Sequence, residues 1–180
     1  MSINLFSERL LIRPLKESDW HSVLSLQSSQ IVNQFIRDIE DEQIIRAKFE
    51  QRMQLPEFDS GDWYSLAIES LNTGEFIGIT GFYCQDVNSK RVEVGYMISP
   101  TFFGQGYASE SLQTVIDWGL HQFEVRKFVA QCCKQNVASQ RVLQKCGFSL
   151  EGELVENTVI NNKIYDDYLY GLLSRNRQLP

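Results

Sequence analysis

The segment VEVGYMISPTFFGQGYASES, residues 92–111, carries the strongest structural signal in this chain. An apolar strand runs through Ser99-Pro100 into a loop with two glycines, and the loop opens an amphipathic helix. Small residues at positions 104, 106, 108 and 109 leave main-chain N–H groups uncovered where the helix begins, and such groups bind phosphate oxygens. The segment therefore predicts a ligand that carries phosphate.

The helix prediction rests on one apolar stripe that recurs at spacings of three and four residues. Its members are Ala108, Leu112, Val115, Ile116, Gly119, Leu120 and Phe123. Glu110 suits the positive end of the helix dipole, while residues 101–109 include no charged side chain. Anion binding at this loop is therefore expected to depend on main-chain amides.

Two other kinds of glycine loop fit the segment less well. A nucleoside-triphosphatase loop ends in Gly-Lys-Ser/Thr, and the chain has no such tripeptide. A dinucleotide-binding fingerprint nearly matches, since positions 104, 106 and 109 read Gly, Gly and Ser. That fingerprint opens a βαβ unit and is followed about 20 residues later by an acidic residue at a strand end. Here strands of antiparallel pattern precede the loop instead.

Further motifs follow one another along the chain in a specific order. They are LLIRPL at residues 10–15, EVGY at 93–96, NVASQRVLQKCGF at 136–148, Glu151-Gly152 and Tyr165-Asp166-Asp167. Together with the glycine loop they resemble the GNAT superfamily of acyl-CoA-dependent N-acyltransferases, over nearly the whole length. Phe103 stands where the superfamily has Gln or Arg, a departure that resembles the ribosomal-protein N-acetyltransferase branch.

Composition bounds the fold and the compartment. A chain of 180 residues with 43% hydrophobic content can bury one substantial core, and no linker divides it, so residues 1–180 are expected to form a single domain. No apolar run has membrane-spanning length, and the start MSINLFSERL lacks a secretory pattern, so we expect a cytoplasmic protein without membrane contact. The four cysteines show no paired spacing and His21 and His121 stand alone, which predicts reduced thiols and no metal site.

The formal net charge of −6 argues against nucleic acid as a partner, because phosphate-backbone binding needs a basic face. An acidic surface would attract a cationic amine, and it would equally serve to keep the protein in solution. Both interpretations of the charge stay open. The oligomeric state stays open as well, a homodimer included.

Periodicity and turn signals predict an α+β domain on a mixed sheet. The predicted strands are 8–15, 63–70, 75–84, 91–98, 127–133, 148–156 and 163–173, and the predicted helices are 19–28, 41–54, the stripe after the glycine loop, and 136–146. Asp19 is expected to cap the first helix, and Asn72-Thr73-Gly74 to turn a hairpin. The resemblance adds that about seven strands, mostly antiparallel, surround two parallel central strands that splay apart, with four flanking helices.

The resemblance also implies which residues hold acetyl-CoA, the expected co-substrate. Main-chain groups of Tyr96, Met97 and Ile98 would pair with the pantetheine arm, although the same strand reads equally as ordinary core. The residues expected to hold the pyrophosphate are Gln105, Gly106, Tyr107, Ala108 and Ser109, and Phe103 and Gly104 are also expected to bind the cofactor. Those expected along the cofactor arm and its exit are Asn136, Ser139, Val142 and Lys145. Asn136 and Ser139 also fit simple helix-start chemistry.

Chemistry on an amine needs its neutral form, and this favours one class of acceptor. At pH 7 an α-amine with a pKa of about 7.7–8.0 is roughly 10–17% neutral, against about 0.04% for a lysine side chain. In the family's terms Glu93 is the candidate base, Ser139 is placed near the departing sulfur, and Tyr165 is a candidate proton donor. Glu156 or the position of Thr158 competes with Glu93 for the base, so that assignment stays open. Asp59, Asp62 and Trp63 are candidates for the border of the acceptor pocket.

These observations predict an acetyl-CoA-dependent N-acetyltransferase in which the amine attacks the thioester directly, without a covalent enzyme intermediate. The expected acceptor is the α-amine of a protein N-terminus. Two alternatives stay open: a small-molecule amine such as an amino acid, polyamine or antibiotic, and a CoA-binding module without catalysis.

Overall fold

The structure is a computed structural model that describes residues 3–177. Its helices are α1 Trp20–Gln27, α2 Gln30–Asn33, α3 Glu42–Arg52, α4 Tyr107–Phe123 and α5 Val137–Lys145. Its strands are β1 Leu5–Phe6, β2 Leu10–Pro14, β3 Tyr64–Ser70, β4 Phe76–Asp86, β5 Arg91–Ile98, β6 Lys127–Cys133, β7 Ser149–Ile160 and β8 Lys163–Leu173. Short 3-10 turns occupy Glu17–Asp19, Pro100–Phe102 and Ser174–Asn176.

The strands form one sheet in the order β1-β2-β3-β4-β5-β6-β8-β7, in which only the β5–β6 pair is parallel within residues 3–177. The predicted α+β fold on a mixed, mostly antiparallel sheet is confirmed. The described chain has one strand and one helix more than the sequence predicted. These are β1, with two residues, and α2, with four. Both are too short to show a hydrophobic period, which explains why they were missed.

The two parallel strands share only a short ladder before they part. Their register pairs are Arg91↔Lys127, Val92↔Phe128 and Glu93↔Val129. Beyond this point β5 stays paired with β4, while β6 stays paired with β8. In the described chain, residues 94–98 therefore have a strand partner on one edge only. The expected splay of the central strands is present, and we call this gap the parting.

Alternation along the strands sends side chains to two cores, one on each face of the sheet. On β5, Val92, Val94 and Ile98 join the core beneath α4 and α5, whereas Met97 joins the core beneath α1 and α3. Glu93 and Gly95 share the parity of Met97, so they belong to the face covered by α1 and α3. The parting thus opens toward both layers of helices.

Helix α4 matches the prediction closely, because its apolar stripe faces the sheet. Leu112, Val115 and Ile116 are fully buried, and Gly119 lies so close to the rings of Phe82 and Phe128 that an added Cβ would come within 3.1–3.4 Å of them. The stripe therefore fixes how closely α4 packs on the strands that carry the glycine loop. No helix among residues 3–177 joins the length and the apolar character that a bilayer crossing requires.

Asp19 does not cap α1 as the sequence predicted. Its backbone is already helical, with φ −83° and ψ −7°, and its side chain makes no capping bond to the helix. The carboxylate accepts instead from the Lys16 N–H at 2.9 Å and from Arg13 Nη1 at 2.8 Å. Arg13 also contacts Glu69 at 2.7 Å. The Asp19 carboxylate is therefore engaged by Arg13 and Lys16 and does not cap α1.

Candidate active site

A cleft of about 920 Å³ lies along β5 at the parting. Most of the residues that the sequence predicted for a site line it: Glu93, Tyr96, Met97, Ile98, Phe103, Gly104, Gly106, Tyr107, Ala108, Ser109, Asn136, Ser139 and Val142. We call the part bordered by Gly106, Tyr107, Tyr96 and Ser139 the loop side. The part bordered by Arg37, Arg52, Trp63, Tyr83 and Glu93 is called the α3 side.

The glycine loop presents main-chain N–H groups at the start of α4. Gly104 and Gly106 have φ of +75° and +85°, a left-handed conformation that glycine adopts without a steric penalty. Gly106 directly precedes the helix, so the first N–H groups of α4 have no acceptor inside the helix. An added Cβ at Gly106 would meet only Arg9 Nη2, at 3.4 Å. The space over these N–H groups is therefore open to a ligand.

Arg9 anchors the loop from the other end of the chain, and the sequence gave no signal for it. Its side chain donates to Glu110 Oε2 at 2.7 Å and to the main-chain oxygen of Gln105 at 3.1 Å. Its guanidinium also lies 4.4 Å from the ring centre of Tyr107. Ser7 donates to the second oxygen of Glu110 at 2.7 Å. A cation therefore stands beside the loop, although the loop itself contains none.

Glu110 carries a lowered pKa within this cluster. Burial raises the pKa of its carboxyl, but the hydrogen bonds from Ser7 and Arg9 and the charge of Arg9 outweigh burial. The carboxylate is therefore held in its charged form and fixes the first turn of α4 to the turn between β1 and β2.

Tyr96 and Ser139 meet across the parting. The Tyr96 hydroxyl lies 2.8 Å from Ser139 Oγ and 3.2 Å from the main-chain oxygen of Ser139. Burial raises the pKa of Tyr96 well above its usual value, so this phenol stays protonated at neutral pH. The sequence pointed to the main chain of Tyr96 and to the hydroxyl of Ser139. It did not reveal that the two side chains form one pair.

Asn136 is the N-cap of α5, as the structural interpretation of this motif predicted. Its side-chain oxygen accepts from the Ser139 N–H at 3.1 Å. The cap places Ser139 in the first turn of α5, where its hydroxyl faces Tyr96. Asn136 therefore orients the pair even without touching a ligand.

Cys132 and Cys133 also line the cleft, but their thiols are poor nucleophiles. Burial raises the pKa of Cys132 to about 11 and also raises that of Cys133. The reactive species is the thiolate, which is scarce at neutral pH when the pKa is this high. Both side chains are buried, and Cys132 packs in the core beneath α5.

Glu93 stands on the α3 side, at the last pair of the parallel ladder. Its Oε2 accepts from Gln85 Nε2 at 2.6 Å and from the Tyr83 hydroxyl at 3.1 Å. Burial raises the pKa of Glu93, and these two hydrogen bonds offset only part of that rise. The carboxyl is therefore a better proton acceptor than an exposed glutamate.

Trp63 and Gly95 shape the wall next to Glu93. The Trp63 ring lies 4.8 Å from that of Tyr83, and a Cβ at Gly95 would come within 3.0 Å of the Trp63 ring. Of the three candidates for the acceptor border, Trp63 lies in the cleft wall, whereas Asp59 and Asp62 are exposed and absent from the lining.

Gln105, Lys145 and Tyr165 also lie outside the cleft lining. Gln105 is exposed and donates to the main-chain oxygen of Thr101 at 3.1 Å. Lys145 is exposed in the last turn of α5. Tyr165 packs edge-on against Phe35, with ring centres 6.2 Å apart.

Asp167, two residues after Tyr165, does line the cleft and is 2% exposed. Its carboxylate accepts from Gln131 at 3.0 Å, from Asn157 at 2.8 Å and from the Thr158 hydroxyl. Three uncharged side chains thus donate hydrogen bonds to the buried Asp167 carboxylate. Among residues 3–177 no group of three or more His, Cys, Asp or Glu side chains is arranged to hold a metal ion.

A family model described as an acetyltransferase (GNAT) domain matches residues 9–149. The chain belongs to the GNAT acetyltransferase family. The resemblance drawn from the sequence is confirmed, and the enzyme class is acetyltransferase.

Named relatives include enzymes with different acceptors. The ribosomal-protein-serine acetyltransferase of Escherichia coli is 34% identical over 96 residues, 53% of this chain and 54% of that protein. A GNAT-family acetyltransferase from Bacillus anthracis has a TM-score of 0.84 and 25% identity, covering 96% of this chain and 99% of the other. The spermidine N-acetyltransferase of Vibrio cholerae, solved with CoA and spermine, has a TM-score of 0.82, covering 94% and 98%. At 18% identity the last likeness shows the fold alone.

Proposed function

We propose that this GNAT enzyme transfers an acetyl group from acetyl-CoA to the α-amine of a protein N-terminus. The observation that carries the proposal is the parting of β5 and β6 directly beside the left-handed glycine loop. An extended arm can pair with the free edge of β5 there while its phosphates meet the N–H groups of α4. The spermidine N-acetyltransferase of Vibrio cholerae, which has a similar fold, was solved with CoA, and this supports CoA as the ligand of the cleft.

The loop side is assigned to the cofactor. Main-chain groups of residues 96–98 would pair with the pantetheine arm, and residues 103–109 would surround the pyrophosphate. Gly106 and Ser109 border the N–H groups concerned, and Arg9 adds a cation beside them. Val142 lines the same side, whereas Gln105 and Lys145 would act at the rim, where both are exposed.

The α3 side is assigned to the acceptor. In the proposed reaction the neutral amine attacks the thioester carbon, the C–S bond breaks, and the new amide loses one proton. Glu93 accepts that proton through water, which its raised pKa favours. Because the α-amine is the more acidic kind of amine, a base acting through water suffices.

The departing sulfur develops negative charge, and we assign its stabilisation to the Tyr96–Ser139 pair. If Tyr96 donates a hydrogen bond to Ser139 Oγ, the Ser139 hydroxyl is free to donate one to the sulfur, and the thiolate then takes its proton from water. This assignment differs from the sequence-based one, since Tyr165 is not part of the cleft lining and packs behind Phe35, which is. The high pKa of the Cys132 thiol supports direct attack without a covalent intermediate.

The proposal is tested by following free thiol while the protein is incubated with acetyl-CoA and short peptides with free N-termini. Acceptor-dependent thiol release and an acetylated N-terminal residue are the expected results. The same peptides with a blocked N-terminus and an internal lysine serve as the control for side-chain acetylation. Tight CoA binding without turnover on any amine would show a binding module instead. We place this reaction in the cytoplasm, where acetyl-CoA is available to new protein chains.

A further inference from the structure

Two arginines on the α3 side of the cleft have no part in the reaction proposed above. Arg37 follows α2, and Arg52 lies in the last turn of α3. Both line the cleft and both are partly buried. Long cationic side chains are seldom withdrawn from water without a partner, so this pair calls for an explanation.

Arg37 is held in place by the fold rather than left to swing in solvent. Its main-chain N–H donates to the carbonyl of Asn33 at 3.2 Å. Asn33 itself is 1% exposed, and its amide donates to three main-chain carbonyls of α1 and the following turn. The guanidinium donates to Gln27 Oε1 at 3.0 Å and contacts Met97 Sδ at 3.6 Å. Met97 belongs to β5, so the charge stands beside the parting.

The side-chain contacts of Arg37 leave donors for a ligand. Within residues 3–177 both hydrogen bonds of the Arg37 side chain use Nη2, so Nη1 and Nε have no protein acceptor. The free Nη1 can donate a charge-assisted hydrogen bond to a carboxylate oxygen.

The protein neutralises the positive charge of the pair only in part. In the described part of the chain neither Arg37 nor Arg52 has a carboxylate within ion-pair distance, whereas Arg13, also partly buried, has Asp19 at 2.8 Å. Glu40 is the carboxylate whose field reaches both arginines, and it forms an ion pair with Lys48. The cluster therefore holds three cations and one carboxylate.

The environment penalises this arrangement, which a bound anion would relieve. Burial lowers the pKa of Arg37 and of Arg52, and the charge of Arg37 lowers the pKa of Arg52 further. Arginine nevertheless keeps its proton in proteins, so two partly desolvated like charges remain within reach of each other's field.

We propose that Arg37 and Arg52 bind a carboxylate of the acceptor itself, so that the preferred substrate is an amine with an acidic group a short distance away. This inference rests on the proposed function, because it assigns the α3 side to the acceptor. It also separates this enzyme from polyamine acetylation, since a polyamine would bring further cations to two unpaired guanidinium groups.

Strand geometry indicates how far the carboxylate lies from the amine. Glu93 and Met97 are four residues apart on β5, which is about 13 Å at a rise of 3.3 Å per residue. Glu93 marks the proposed base, and Met97 touches Arg37. In a free α-amino acid the amine and the α-carboxylate sit on the same carbon, too close to reach both groups. An acidic side chain at the second or third residue of a peptide spans the distance.

The test compares pairs of peptides with identical N-terminal residues, one with Asp or Glu at the second and third positions and one with Asn or Gln. We expect kcat/KM for the acidic peptide to exceed that for the neutral one by about tenfold or more, since hydrogen bonds to charged groups are the stronger class. Free glutamate and spermidine are added as acceptors. Turnover of glutamate equal to that of the acidic peptide would show that a small dicarboxylate is the source of the anion.

Variants identify the arginines as the cause of the preference. In Arg52→Gln and Arg37→Gln the ratio between acidic and neutral peptides should fall toward one, chiefly because kcat/KM for the acidic peptide falls. Arg52→Lys keeps the charge and should keep part of the preference. Arg175→Gln removes the same charge from an exposed turn and should leave the ratio unchanged.

Two results would overturn the inference. One is equal kcat/KM for acidic and neutral peptides in the unaltered enzyme. The other is a loss of CoA affinity in Arg52→Gln, which would place the arginines at the cofactor. Calorimetric titration of both peptides into the CoA-loaded protein provides a readout that does not depend on turnover. An enzyme inactive on all amines would contradict the proposed function, whereas the titration would still reveal or refute the preference for the acidic peptide.

Discussion

The two sides of the cleft are built in different ways. The loop side takes most of its parts from one continuous stretch, residues 96–109, and recognises its ligand through main-chain groups. The α3 side gathers Arg37, Arg52, Trp63 and Glu93 from distant parts of the chain and presents side chains. Main-chain recognition needs small residues at fixed spacing and therefore leaves a motif, whereas side-chain recognition of an acceptor leaves none.

The largest expected effect tests main-chain recognition on the loop side. Gly106→Glu puts bulk and negative charge over the N–H groups of α4, so CoA affinity should fall about a hundredfold or more by calorimetry. Gly74→Glu is the matched control, because Gly74 also has a left-handed φ, +70°, with nothing within 4 Å of its Cβ position. Both variants put a non-glycine residue in a left-handed backbone conformation. Equal CoA affinity in the two would contradict the placement of the phosphates.

The second prediction separates cofactor binding from chemistry. Tyr96→Phe removes the hydroxyl that reaches Ser139 and keeps the ring, so kcat should fall about a hundredfold with little change in CoA affinity. Ser139→Ala should act in the same direction, and the double variant should lose less than the product of the two effects. Tyr64→Phe removes a hydroxyl from another buried tyrosine and should leave kcat unchanged. Parallel losses of CoA affinity and kcat would instead indicate damage to the packing of α5.

The third prediction concerns the α3 side and its dependence on pH. A base works when deprotonated, so activity should be present above the pKa of Glu93 and be lost as pH falls through it. Because burial raises that pKa, the fall in activity at low pH should have its midpoint above the ordinary glutamate pKa of about 4.3. Protonation of the peptide amine adds a second loss of activity as pH falls below about 8.

Glu93→Gln should remove the pH dependence caused by Glu93 and keep the one caused by the peptide amine. It should also lower kcat/KM about tenfold to a hundredfold. CoA affinity should not change, in contrast to Gly106→Glu. A pH profile of kcat/KM that keeps both dependences in Glu93→Gln would exclude this carboxyl as the base.

The smallest effect is expected at the anchor of the glycine loop. Glu110→Gln should reduce the free energy of unfolding by about 1 kcal/mol at pH 7, because it weakens the hydrogen bonds to Ser7 and Arg9. The folded-state pKa of Glu110 is lowered, so its contribution is present above the unfolded pKa of about 4.3 and disappears as pH falls through the lower folded value. Urea unfolding at pH 7 and at pH 3 measures this, and a difference that persists at pH 3 would contradict the assignment.

Sequence alone predicted the sheet, α4, α5 and most of the loop side, because these depend on local periodicity and on glycine conformation. It missed Arg9, whose partners Gln105 and Glu110 lie 96 and 101 positions further along the chain. It missed the bond between the Tyr96 and Ser139 hydroxyls, since the packing of α5 on β5 determines it. Arg37 and Arg52 gave no pattern at all. For Asp19, the sequence matched a helix cap but could not reveal the competing Arg13.

The three rungs between β5 and β6 have one more consequence. The amino-terminal and carboxy-terminal parts of the sheet share almost no ladder, so a substrate arm lying along β5 would act as a removable strand joining them. Cooperative unfolding of the whole molecule would then vary with the concentration of a metabolite. When that metabolite is scarce, this seam is where the molecule should first admit water and exchange its amide hydrogens.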